Sequence, residues 1–422
     1  MPVTTLLRDS RFATWLITGI TLVGLYYLAY RYPFRINSKR TSSTYSDTPV
    51  VLQYGKYVVL LAVCGLACLA LLDIWRHQRR LPRDWSGGVV WFPVLSAWAV
   101  FAWLVSRDDV LTFAFAVFVA ATIVTLREFY RSDVSALLPI FGVFAIVAVI
   151  VDAIQVLLFF TTGRLPALGY AHSLSVRFGS LLDDPNGYAI LCALLIVVAW
   201  VWPRRPWARI GLTVSVFVSL LLTQSFTGAV ATCVAVSIVA VAAYWSSHRR
   251  TVLAVGGGLI ACGLAAAALI VPTHQFQRLL QQKQGSIEYH GESLDVLFGL
   301  GWRALLHGTN TGIEPPESGY VSLIAHLGAV GFVLFLIVGI GSVVRLRRHV
   351  LASDGTVRSV YVAAMTFQIA FLLAMINLPP HRVFPLDIFF FTFAALSSVP
   401  VFRASVDAAG AVAQNDAEEP AR

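Results

Sequence analysis

The sequence predicts an all-α polytopic membrane protein of about twelve transmembrane helices, with a large external loop between the ninth and the tenth. Three observations carry the prediction. Hydrophobic residues make up 58% of the chain and charged residues 13%, and the mean hydropathy is +0.75. The apolar residues come in blocks of about 17 to 27, the length that crosses a bilayer as a helix. Arginines gather at the ends of alternate blocks.

Taken in order, the first six blocks run near Phe12 to Tyr30, Tyr57 to Trp75, Val89 to Val105, Val110 to Leu126, Val134 to Phe160 and Tyr188 to Trp202. The other six run near Ile210 to Ser225, Ala229 to Trp245, Val252 to Val271, Tyr320 to Val344, Val357 to Ile376 and Asp387 to Phe402. Arg76, Arg79, Arg80 and Arg83 follow the second block, Arg127 and Arg131 the fourth, and Arg204, Arg205 and Arg209 the sixth. Arg249 and Arg250 follow the eighth, and Arg345, Arg347 and Arg348 the tenth. Cations after even-numbered spans place both termini in the cytoplasm under the positive-inside rule. The same rule accounts for the net charge of +9 without nucleic acid. Residues 31–56 run against it, carrying Arg31, Arg35, Lys39, Arg40 and Lys56 on the side expected to be external.

The first apolar run is long enough to span and lacks a small-residue cleavage site, so it is expected to remain as an anchor. All five cysteines lie inside expected helices, where they read as small packing residues. No repeat relates the two halves and no linker divides them. Residues 1–405 therefore read as a single transmembrane domain containing the 272–316 loop, and 406–422 as a disordered cytoplasmic tail.

Chemistry is expected in the external loops, which carry cations against the positive-inside bias. Arg177 lies in the loop that closes with Asp184-Pro185-Asn186 at the mouth of a helix. It reads as an anion ligand or as a contact to interfacial phospholipid, and Asp184 or Asn186 as a helix cap. In the long loop, Thr273 to Lys283 has the pattern of a surface amphipathic helix bearing Arg278. His290, the turn Phe298-Gly-Leu-Gly-Trp302, Arg303, His307 and Glu317 follow it. Glu317 suits the first turn of a helix through the helix dipole, and also suits a base that accepts a proton from a hydroxyl. Asp152 and Gln155 share a helix face inside the membrane, either as a functional pair or as inter-helix hydrogen-bonding groups. His326 reads as a packed histidine, and Asn377, His381 and Arg382 occupy the last external turn. No zinc spacing, Walker loop or dinucleotide fingerprint occurs, so the expected chemistry uses neither metal nor nucleotide cofactor.

Four segments resemble the superfamily of O-antigen ligases and O-antigen or exopolysaccharide polymerases. They are Arg177-Phe-Gly-Ser-Leu-Leu-Asp-Asp-Pro-Asn186, Leu222-Thr-Gln-Ser225, Leu297-Phe-Gly-Leu-Gly301, and Glu317-Ser-Gly-Tyr320 through Gly328 and Gly331. The likeness covers about residues 170 to 400. Two departures bear on function: Ser225-Phe-Thr-Gly228 stands where many members carry Ser-Arg-Gly, and Glu317-Ser318 stands where ligases carry His-Asn. The second turns the reading from ligase toward polymerase. The resemblance implies a bacterial inner-membrane glycosyltransferase whose long loop and active site are periplasmic. Its partners would be an undecaprenyl-diphosphate-linked glycan donor and a glycan acceptor, with a chain-length regulator and a flippase nearby. Arg177, Arg278, Arg303 and Arg382 would hold the diphosphate, and Glu317, or else His290, would be the base. An O-antigen ligase and a lipid-linked glycan transporter are the alternatives.

Overall fold

The computed structural model describes residues 90–106, 117, 134–162, 170–172, 175–182, 184–243, 295, 298–309, 318–383 and 386–398. In chain order these form α1 (Trp91–Ser106), a 3-10 turn (Val134–Ala136), α2 (Leu137–Thr162), and a small antiparallel hairpin of β1 (Tyr170–His172) and β2 (Ser175–Arg177). Then come α3 (Pro185–Val201), α4 (Pro206–Leu222), α5 (Phe226–Ala243) and the short α6 (Trp302–His307). The chain continues through α7 (Gly319–Ala352), α8 (Gly355–Ala374), a 3-10 turn (Pro380–Arg382) and α9 (Leu386–Ser397).

All the long helices coincide with expected spans. The first, second and ninth spans lie outside the described residues, as does the fourth apart from Val117. Helices α2, α5, α7 and α8 are long and apolar enough to cross a membrane, and α1, α3, α4 and α9 are shorter apolar helices.

The burial pattern is that of a bundle in lipid. Along α4, Trp207, Ile210, Val214, Val218 and Leu221 are exposed at intervals of three and four, while Val216, Ser219 and Leu220 face the interior. Helix α5 repeats this with Phe226, Val230, Val234, Ile238 and Val241. An apolar stripe on the outside is costly in water and favourable against acyl chains.

Helices α3 and α8 form the centre and pack on each other. Every residue of α3 from Gly187 to Leu195 is buried. In α8 the most apolar stretch is 72% buried, against 33–39% for the three other long helices, which marks it as the central one of the four. Phenylalanines fill the space between α8 and α9, where Phe371 stacks on Phe390 with ring centroids 4.4 Å apart, and α7 adds Phe335 on Phe390 at 5.2 Å. Because lipid is as apolar as these rings, side-chain hydrogen bonds supply part of the specificity. Thr232 on α5 donates to the Ala189 carbonyl of α3 at 2.8 Å, and Gln368 on α8 donates to the Phe390 carbonyl of α9.

The sequence reads residues 320–344 as one span, but α7 is broken at Gly328, whose φ of 69° and ψ of 176° are not helical. The Tyr320 and Phe332 rings lie 5.9 Å apart. In a straight helix residues twelve positions apart are offset by about 18 Å along the axis, so the short arm before Gly328 folds back against the long arm after it. The long arm alone, at 1.5 Å per residue, measures about 36 Å and suffices to span. The break releases carbonyls from the helical ladder, and neighbours take them up. The Ala325 carbonyl accepts from Thr309 N at 2.8 Å, just after α6, and the Leu327 carbonyl accepts from the Trp98 indole of α1 at 2.8 Å.

Candidate functional site

Four connections meet at one end of the bundle, and each is built from local chemistry. Helix α3 begins with Asp184 as cap and Pro185 in its first turn. Proline has no N–H to lose there, and the Asp184 carboxylate accepts from Asn186 N at 2.9 Å and Gly187 N at 3.1 Å. Burial pushes the Asp184 carboxyl above the usual aspartate range, against the opposing pull of those two N–H groups and of the Arg177 guanidinium.

Arg177, the last residue of β2, is strapped across this helix start. Its Nη2 donates to Asn186 Oδ1, and its Nε donates to the Thr223 carbonyl at 2.8 Å. The next residue, Phe178, donates its N–H to the Leu222 carbonyl at 3.1 Å, fastening the strand to the end of α4. The guanidinium is half-buried and its plane is set by two different elements.

The turn from α4 to α5 is held by its own hydroxyls. Thr223 Oγ1 accepts from Ser225 N at 3.1 Å, and Ser225 Oγ caps α5 by accepting from Gly228 N at 3.2 Å. Gly228 lets this turn lie on α3, since a β-carbon there would stand 2.5 Å from the Ala189 β-carbon and 3.3 Å from the Asn186 carbonyl. Thr227 accepts from Asn377 Nδ2 at 3.0 Å, which brings in the segment after α8. From that segment the Leu378 carbonyl accepts from Gly319 N at 3.1 Å, at the start of α7. The turn before α9 closes over the other side of α3, where a β-carbon on Gly187 would meet Val383 at 3.0 Å and Leu386 at 3.2 Å.

Of the expected site residues, Arg177 stands at the centre of this meeting point. Arg382 lies in the 3-10 turn beside Val383, and His381 is buried in that turn. Arg303 is in α6, which docks at the α7 break rather than on α3, and its guanidinium lies over the Trp302 ring at 5.2 Å. Glu317 immediately precedes the described start of α7. Glu317, Arg278 and His290 all lie outside the described residues. Asp184, not Asn186, makes the cap; Asn186 instead orients Arg177, a role the sequence reading does not assign. The bonds of Thr223 and Thr227 and the link from Asn377 are likewise additions, although the sequence marks residues 222–225 and 225–228 and the turn of Asn377 as segments of interest.

Two N–H groups of this guanidinium are committed to Thr223 and Asn186, which fixes its plane; guanidinium groups bind carboxylate and phosphate oxygens through paired N–H donors. Asn377 and Thr227, partly buried at the same meeting point, are bonded to each other. No family model, curated protein or solved structure matches the chain.

Proposed function

We propose that this protein is a membrane glycosyltransferase that polymerises undecaprenyl-diphosphate-linked oligosaccharide repeat units into O-antigen or exopolysaccharide. The observation that carries the reading is the immobilised Arg177. It is a cation fixed between a helix start and a neighbouring turn, where the segments around residues 318, 377 and 383 also converge. In this proposal the chain has about twelve spans in a bacterial inner membrane, and the Arg177 end is periplasmic. Arg204, Arg205 and Arg209 at the other end of α4, with Arg345, Arg347 and Arg348 at the far end of α7, agree with a cytoplasmic assignment for that end.

The reaction joins two lipid-linked glycans. A hydroxyl oxygen of the acceptor attacks the anomeric carbon of the donor, and the bond from that carbon to the diphosphate oxygen breaks with inversion. The bonding electrons leave with the lipid diphosphate, and the hydroxyl proton passes to Glu317, with His290 as the second candidate. Arg177, joined by Arg278 and Arg382, offsets the charge that grows on the leaving diphosphate, and Arg303 would have to reach it from α6 at the α7 break. Asn186 serves this step by holding the guanidinium plane.

The test is gel analysis of surface and lipid-linked glycans from a deletion strain carrying wild type, Arg177→Ala or Glu317→Ala. Single repeat units left on the lipid carrier in both mutants are the expected result. Full-length polymer stranded on its carrier would mean a ligase. Units trapped on the cytoplasmic face would mean a flippase, and wild-type polymer from Arg177→Ala would remove the arginine from the mechanism.

A further inference from the structure

Beneath the Arg177 turn lies a buried polar cluster joined to it through Ser180. Asp152 and Gln155 on α2 are 2% and 0% exposed. Residues three apart on a helix sit on one face as neighbours. Asp152 Oδ2 accepts from the Tyr188 hydroxyl of α3 at 3.1 Å. Gln155 Nε2 donates at 3.0 Å to the carbonyl of Ser180, whose hydroxyl in turn donates to the Ala148 carbonyl at 2.7 Å. The remaining oxygens, Asp152 Oδ1 and Gln155 Oε1, are buried acceptors with no donor.

Two buried acceptors one helical turn apart are thus left without a donor, and a buried carboxylate needs a cation or a proton. The groups facing Asp152 are Tyr188 and Cys192 from α3 and Ser219 from α4; the Tyr188 and Ser219 hydroxyls hydrogen-bond the carboxyl, and none of the three is a base or a cation. Among the described residues no arginine, lysine or histidine pairs with it. One hydrogen answers both deficits, because a proton on Oδ1 turns that oxygen into a donor and Gln155 Oε1 is the acceptor one turn away.

We infer that Asp152 is a proton-binding site within the membrane, held as a neutral acid whose Oδ1–H donates to Gln155 Oε1 while Oδ2 keeps the Tyr188 bond. The proton fixes the Gln155 amide, and that amide holds the Ser180 carbonyl, three residues after Arg177. Asp152 is thus a positioning residue for the Arg177 turn, whatever anion that turn binds.

Infrared spectroscopy of the purified full-length protein, labelled with carboxyl-13C aspartate, tests this directly. Above the range in which surface aspartates ionise, the wild type should show a protonated-carboxyl stretch that shifts in deuterium oxide and is absent from Asp152→Asn. That amide is a neutral isostere which can still donate to Gln155 and accept from Tyr188. Its melting temperature should therefore match wild type, whereas Asp152→Ala and Gln155→Leu should melt lower. Carboxylate bands alone, a band that depends on added sodium or potassium, or failure of Asp152→Asn to fold would each overturn the assignment.

Discussion

Gly308 and Gly328 interlock: a β-carbon on the first would stand 2.1 Å from the His326 carbonyl oxygen, and one on the second 2.1 Å from the Leu306 carbonyl oxygen. Both have positive φ, at 85° and 69°. Through this contact the end of α6 enters the elbow of α7.

Alanine at either glycine should therefore be destabilising, by about 1–3 kcal/mol from backbone strain before any steric term. Because both substitutions open the same contact, the double mutant should lose less than the sum of the two. Thermal unfolding in detergent measures this, and strict additivity would mean the two glycines act separately.

Trp98→Phe keeps the ring and removes the N–H that reaches the Leu327 carbonyl. An unpaired buried carbonyl costs about 1–3 kcal/mol, so the variant should melt earlier than wild type. If the proposed function holds, glycan length should be unchanged, since Trp98 bonds the α7 elbow and not the Arg177 turn.

At the site, charge alone should not suffice. Arg177→Lys retains the cation and loses the planar fork, so on the proposed function its polymerisation rate should fall nearly as far as that of Arg177→Ala, about 10²–10³-fold. Asn186→Ala leaves Arg177 charged but less constrained, and a smaller loss is expected together with about 1.5–3 kcal/mol of stability. Rates with purified lipid-linked substrate separate the three; a fully active lysine variant would mean that the fork geometry is irrelevant.

Asp184 gives a pH prediction. Its carboxyl titrates higher in the folded protein than the ordinary aspartate value of 3.8, because it is buried. Between those two values the folded chain holds a proton that the unfolded chain has released. The stability contributed is therefore complete below the unfolded value and is lost as pH rises through the folded one. Asp184→Asn should flatten this part of the stability profile while still capping α3, whereas Asp184→Ala should also lose about 1 kcal/mol of capping. Melting temperature against pH for the three proteins checks the sign.

Helix positions were legible in the sequence because a membrane helix announces itself by length and hydropathy. The span expected from Val134 to Phe160 is observed as a 3-10 turn followed by Leu137–Thr162. The Asp-Pro-Asn cap was legible too, through local turn chemistry, and Arg177, which the sequence singles out as a cation, is bonded to the Asn186 of that motif. The α7 elbow was not, because glycines are common in membrane helices and the partners of this one come from afar. Trp98 is 229 residues from Leu327 in the chain. Nor were the three-residue strands before Arg177 legible, since so short a run carries no alternation. Hydropathy could not distinguish the enclosed α3 from the mostly exposed α2 either, because a face turned to lipid and a face turned to phenylalanine have the same composition.

That equivalence bears on how the molecule is made. Helix α3 ends with neighbours on nearly all sides, yet α8, against which it packs, is synthesised only after most of the chain has been inserted. In water an all-round apolar helix waiting for its partner would aggregate. A bilayer can solvate α3 in the interval, so late arrival of α8 exchanges lipid for protein and need not rescue an exposed surface. Assembly of the centre then becomes a lateral sorting step within the membrane, governed by the few directional bonds from Thr232 and Gln368 and by ring packing.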